Sequence, residues 1–188
     1  RTRLALLGGA DIVLELPVLY ALQSAEGFAS GGVAIASGLG VIDELCFGSE
    51  SAEPEKLLEA AHVLVGEGAE FKSGLKESLS KGVSFPSARS AALKRVLKQD
   101  PDVLESPNDI LAVEYLKALI RSGGAIRPNI IRRAGASYHD PNIQGPVASA
   151  LSIRAALKSG ELGVALPAIP PSCRQAFKKY LSENKPVF

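Results

Sequence analysis

A helix-rich α/β fold with a doubly wound parallel sheet is predicted by three features. Short apolar runs stop at Pro, Gly or Ser, longer stretches at helical spacing separate them, and no internal repeat or low-complexity tract interrupts the alternation. The chain has 188 residues, 46% of them hydrophobic and 22% charged, which is enough apolar matter for one substantial core.

The first apolar run, Asp11 to Leu16, is stopped by Pro17 and suits a strand covered on both faces. From about Ser24 to Ser37 small and apolar residues recur at helical spacing, and Glu44 to Phe47, ending in Gly48-Ser49, reads as the next strand. Together these three segments predict a βαβ unit. Pro54 to Val65 is an amphipathic pattern with Pro in its first turn; Glu70 to Leu79 and Ser87 to Leu97 are two further helices. Ser106 to Asp109 reads as a turn feeding a helix from Ile110 to about Ile120, with Gly123-Gly124 as its stop. Ala125 to Ile131 returns to a strand pattern, followed by a polar loop from Gly135 to Gly145. A helix capped near Ser149 runs through Leu157 and closes at Gly160. The prolines of Leu166 to Pro171 predict an irregular linker, because they remove donors and restrict the residues before them; a last helix follows from Ser172 to Leu181. The organisation expected is a nucleotide-binding Rossmann-like domain over 1–165, with the linker and the start of a helical region over 166–188.

Charge narrows the function. Lys plus Arg number 21 against 20 for Asp plus Glu, so the net charge of +1 makes no chain-wide case for nucleic acid, and any RNA contact must come from a local patch. No apolar run approaches the roughly 20 residues that cross a bilayer, and the expectation is a soluble cytoplasmic protein without a membrane partner. Cys46 and Cys173 lie far apart, with no second ligand at metal spacing, and are expected as reduced thiols.

In an open parallel sheet ligands bind beyond the carboxyl ends of the strands, which directs attention to Gly48-Ser49 and to Arg132-Arg133. Gly48 would let a base or ribose approach the backbone, or it is an ordinary turn glycine. Asn108 can cap a helix or offer its amide to a ligand. Arg132 and Arg133 leave a strand on opposite faces, so one of them can point into a given cleft; an Arg there suits phosphate, and a solvated basic pair is the alternative. His139, between Tyr138 and Asp140, is a candidate general acid/base or substrate contact, against an exposed or structural histidine. His62 lies in an Ala- and Leu-rich helix and reads as structural. Ser149 and Arg154 sit at a helix start, where free amides attract anions, although a simply capped helix explains them too. No Walker loop, GxGxxG after a strand, GxSxG elbow or HExxH occurs.

Six blocks, in order, resemble the tRNA(Met) cytidine acetate ligase family: GADIVLELP at 9–17, QSAEGFA at 23–29, LCFGSE at 45–50, SFPSAR at 84–89, PNDILAVEYLKAL at 107–119 and IRRAGASYHD at 131–140. The resemblance covers most of the chain up to about Leu157. It implies a nucleotidyltransferase-type domain that uses ATP, with Mg2+, to activate acetate as acetyl-adenylate. The acetyl group then passes to the wobble cytidine of elongator tRNA(Met). Carried over by position, Gly48, Asn108 and Arg133 match ATP-binding residues, and Arg132 stands where the family usually has Lys. Leu151 replaces a usual Thr in the motif ending Ile153-Arg154, where Ser149 remains and Ser152 can substitute.

The family's strand and loop with the HxGH-like motif is expected upstream of Arg1, and its tRNA-gripping region beyond Phe188. On that expectation the chain is a fragment that is inactive alone. Two readings compete: another HxGH-type enzyme with a different acceptor, and a non-catalytic nucleotide-binding module.

Overall fold

The computed structural model describes residues 1–98, 104–134, 143 and 147–183. They fall into two compact units, Leu16–Arg133 and Arg1–Glu15 with Ala134–Phe188. Among the described residues no helix is long and apolar enough to cross a membrane.

The Leu16–Arg133 unit is the helix-rich α/β body that the sequence predicts. It contains α2 (Val18–Ala21), α3 (Ala25–Leu39), β1 (Glu44–Ser49), α4 (Pro54–Gly66), α5 (Ala69–Ser80), α6 (Phe85–Leu97), α7 (Pro107–Arg121) and β2 (Arg127–Arg132). β1 and β2 pair in parallel, with Phe47 opposite Ile130 and Gly48 opposite Ile131. Parallel neighbours need a long crossover, and α4 to α7 supply it.

α7 is the hub of this unit. Ala112, Val113 and Leu116 pack with Leu57, Ala60, Ala61 and Leu64 of α4, Phe71 of α5, and Ala92 and Leu93 of α6, with Phe47 and Ile130 closing the cluster from the sheet. One turn on, Ala118 and Leu119 join Val33 of α3 and Ile126 in a second cluster. The Tyr115 ring stacks on Phe47 with centroids 5.2 Å apart, which fixes the helix axially against β1. Gly31 of α3 lies under the Tyr20 ring of α2, where a Cβ would stand 2.3 Å from Cγ.

The expected strand at Asp11 to Leu16 does not form. Ile12 is 77% exposed and Leu14 52%, and neither β1 nor β2 pairs with this segment. An apolar run makes a strand only where a neighbour completes its backbone ladder, so the parallel pairing is β1 with β2 over α4–α7 rather than over α3. α7 also starts earlier than expected: Pro107, Asn108 and Asp109 form its first turn instead of a preceding loop. Pro is well placed at a first helical position, where the missing N–H would have no partner.

The other unit holds α1 (Thr2–Leu7), α8 (Ala150–Lys158), α9 (Leu162–Ala165) and α10 (Pro171–Glu183). α1 packs on α10, where the buried Cys173 thiol donates to the Leu4 carbonyl at 3.3 Å. The stretch read as an irregular linker contains a 3-10 turn at Leu166–Ala168, and Pro171 begins α10. Pro167 and Pro171 sit in first turns, where the lost donor is tolerated. Cys46 and Cys173 are free thiols.

Candidate functional site

Two segments meet at the carboxyl end of the sheet: the loop leaving β1 and the first turn of α7. The Ser106 side chain at the N-cap of α7 makes no capping bond. The free amides of that helix end are met instead by Glu50, whose carboxylate accepts from the Asp109 backbone N–H at 3.0 Å and from Asn108 Nδ2. Asp109 reaches back. Its carboxylate accepts from the backbone N–H of Glu50 at 3.0 Å, from that of Ser51 at 3.1 Å, and from the Ser49 hydroxyl, whose oxygen in turn accepts from Ala52 N–H at 2.8 Å. Two acids thus clasp loop and helix reciprocally, and Asp109 is 1% exposed within the clasp.

On this frame the structure brings together Gly48, Asn108 and Arg133. A Cβ on Gly48 would stand 3.2 Å from Arg133 Cγ, so only glycine lets the arginine stem lie across the strand without displacement. Gly48 lies inside β1, not in a turn, and the close approach accounts for it. Arg133 Nη1 donates to Asn108 Oδ1 at 3.4 Å, and its Nε lies 4.0 Å from the Glu50 carboxylate. Asn108 therefore spends its oxygen on the guanidinium and its nitrogen on Glu50. It is the second helical residue and not the cap, which was the competing expectation for it.

Strand alternation separates the two arginines. Arg132 is the register partner of Ser49 and shares the face of Ile130, which packs on the core; Arg133 is on the face of Gly48. A permanent cation, a carboxamide and the exposed backbone at Gly48, with the Arg133 stem against it, form a polar corner that can hold an anionic ligand against the strand ends.

Ser149 and Arg154 belong to the other unit. Ser149 is the N-cap of α8: its hydroxyl oxygen accepts from Ser152 N–H at 3.0 Å, and Ser152 Oγ donates to the Ser149 carbonyl at 2.9 Å. Ser152 is completely buried, so its hydroxyl does not replace the one that Leu151 lacks. Arg154 is exposed. His139 lies outside the described residues, and His62 is exposed on α4.

Glu50 and Asp109 were missed as functional candidates in the sequence. Both stand in the blocks that single out Gly48 and Asn108, and an Asp in the third position of a helix reads by default as a favourable first-turn charge. The usable signal was Ser49-Glu50-Ser51, a cluster of short polar residues at a strand end with an acid among them.

Comparison with known proteins adds a family. A family model described as HIGH Nucleotidyl Transferase matches residues 1–188. The tRNA(Met) cytidine acetate ligase of Fervidobacterium nodosum is 40% identical over 189 residues, covering 100% of this chain and 44% of its own length. That of Caldicellulosiruptor saccharolyticus is 47% identical, over 86% of this chain and 40% of its own. The crystal structure of Thermotoga maritima TmcAL in its apo form I matches with a TM-score of 0.94 at 36% identity, covering 100% of this chain and 46% of that one. TmcAL bound with alpha-thio ATP matches at 0.87 and 34% identity, over 97% and 44%. The chain spans less than half the length of the curated relatives it matches.

Proposed function

Since the chain belongs to the HIGH nucleotidyl transferase family, we propose that it is the nucleotide-binding segment of a cytoplasmic tRNA(Met) cytidine acetate ligase. The whole enzyme joins ATP and acetate into acetyl-adenylate, releasing pyrophosphate, and passes the acetyl group to the wobble cytidine amine of elongator tRNA(Met). The observation that carries this reading is the meeting of Gly48, Asn108 and Arg133 at one corner of the sheet, in a chain whose relatives bear that name.

In this reading ATP lies beside the exposed backbone of Gly48, with Arg133 on its phosphates and Asn108 hydrogen-bonding it. Mg2+ would arrive with the nucleotide, held mainly through phosphate oxygens. Among the described residues no group of three or more His, Cys, Asp or Glu is arranged to hold a metal. The nucleotide-binding domain lies within 1–165, and 166–188 begins a C-terminal helical region.

The test is acetate-dependent exchange of pyrophosphate into ATP by the full-length protein. Exchange that requires acetate is expected; exchange with other acids and none with acetate would assign a different acceptor.

A second expectation concerns the two arginines. A charge-assisted contact to phosphate is typically worth about 1.5 to 3 kcal/mol, or roughly one to two decades in affinity. Arg133→Ala should raise the ATP dissociation constant by that much and Arg132→Ala by clearly less, measured by titration calorimetry on full-length protein. Equal effects, or a worse Arg132→Ala, would remove Arg133 from the phosphates.

A further inference from the structure

We infer that Glu50 is a positioning residue for nucleotide binding: its carboxylate decides which end of the Asn108 carboxamide faces Arg133, and a neutral side chain of the same shape cannot replace it. The inference deepens the reading above, in which Arg133 and Asn108 hold ATP, and rests on it.

The two ends of a carboxamide are nearly equal in size, so its neighbours settle which one points where. Asn108 has two such neighbours. Its Nδ2 donates to Glu50 Oε1, and its Oδ1 accepts from Arg133 Nη1 at 3.4 Å. A carboxylate can only accept, so opposite Glu50 the amide places its nitrogen, and its oxygen is left for the guanidinium. The second Glu50 oxygen accepts from the Asp109 backbone N–H at 3.0 Å, a donor that belongs to α7 and cannot turn over. Both oxygens of Glu50 are therefore committed to donors at the start of one helix, whose free amides and positive end favour an anion there.

Glu50 also reaches the guanidinium itself. Arg133 Nε lies 4.0 Å from Glu50 Oε1, with the two side chains 37% and 27% exposed. Nε is on the stem side of the fork, so Glu50 at Nε and Asn108 at Nη1 together set the direction in which Arg133 offers its outer edge to a phosphate. Two effects of Glu50 thus oppose each other. Its charge beside the corner repels an anion, so charge alone would make its removal favourable to ATP. Its acceptor character keeps Asn108 and Arg133 matched as acceptor and donor, so geometry makes its removal unfavourable.

Glutamine separates the two effects, because it keeps the shape, drops the charge and offers one oxygen and one NH2 to two donors. With that oxygen on the fixed Asp109 N–H, the NH2 faces Asn108, whose amide must turn over to accept it. Asn108 Nδ2 then meets Arg133 Nη1, donor against donor, and the guanidinium is driven from its place.

The experiment measures ATP binding to the full-length protein by titration calorimetry for wild type, Glu50→Gln, Asn108→Ala and the double variant. Glu50→Gln should weaken ATP about tenfold, the size of one lost charge-assisted contact. On the Asn108→Ala background there is no amide to turn, and the same substitution should leave ATP affinity equal or tighter. An equal weakening on both backgrounds would overturn the inference, since a general loosening of the loop does that. Unchanged or tighter binding in Glu50→Gln alone would overturn it too, by showing that charge outweighs polarity. If Glu50→Gln does not fold, the exchanged pair Glu50→Gln with Asn108→Asp takes its place: it restores the donor and acceptor sense at unchanged total charge and should return a folded protein, and its failure to fold would sink the inference. A wild type that binds no ATP removes the reading and the inference together, whereas a wild type that binds ATP with any of the contrary outcomes removes the inference alone.

Discussion

Replacing Asp109 with Ala should cost the fold about 3 to 5 kcal/mol and weaken nucleotide binding in whatever remains folded. The side chain is 1% exposed and is the acceptor for the Ser49 hydroxyl and for the backbone N–H groups of Glu50 and Ser51. Alanine leaves the part-buried Glu50 and Ser51 N–H groups without this acceptor and the buried Ser49 hydroxyl with only the Ser51 oxygen at 3.3 Å; an unsatisfied buried donor carries roughly 1 to 3 kcal/mol, with incomplete additivity. The loss spreads to ligand binding because the loop that Asp109 holds carries Glu50, and Glu50 holds Asn108. Asp109→Asn keeps the shape and one oxygen but sets an N–H against the N–H of Ser51, so about half the loss is expected. Urea midpoints for the two variants and wild type give the comparison. An Asp109→Ala protein within about 1 kcal/mol of wild type would show that water replaces the clasp.

That clasp also marks how far the sequence could be read. Helices were legible because periodicity, first-turn Pro and terminal Gly are local: α4 through α6 match their expected ranges to within about two residues, within the usual uncertainty of helix ends. β1 and β2 were legible because each is a short apolar run with a stop. Asp11 to Leu16 has the same local look and forms no strand, since a strand depends on a neighbour that periodicity cannot supply.

The site divides in the same way. Gly48, Asn108 and Arg133 could be singled out one by one from strand ends and from the family pattern; alternation put Arg132 and Arg133 on opposite faces, and the family pattern chose Arg133. Contacts between residues 59 and 60 positions apart, which join Glu50 and Ser49 to Asp109, leave no periodic trace. Ser149 was ambiguous between ligand and cap because both uses favour the same residue at the same helix position, and only its hydrogen bonds to Ser152 show the capping use.

The largest stability effect outside the site should come from Lys117→Met. Lys117 and Glu114 are buried neighbours on α7, with side chains 6% and 2% exposed and an N···O distance of 2.6 Å. Glu114 also receives Arg89 of α6 at 2.6 Å, and Lys117 reaches Glu26 of α3 at 3.0 Å, where Arg121 joins it at 2.9 Å. The network ties two helices, α3 and α6, to the hub that presents Asn108. Methionine fits the volume but leaves one Glu114 oxygen buried without a donor, and breaking a buried pair from one side typically costs about 3 to 5 kcal/mol. Adding Glu114→Leu removes the stranded charge and leaves only Arg89, whose partial exposure lets water take over, so the double variant should be more stable than Lys117→Met alone. The acid limb gives a second readout. Arg121 first, then Lys117, hold the Glu26 carboxyl below its ordinary value by hydrogen bonding. A depressed carboxyl contributes stability that is present above its unfolded pKa and is lost as pH falls through the folded one. Lys117→Met removes the second cause and keeps the first, so that loss should begin at a higher pH than in wild type while staying below the unfolded value. Urea midpoints over the acid range test both points, and a double variant no more stable than the single would show that the Glu114 oxygen is not stranded once Lys117 is gone.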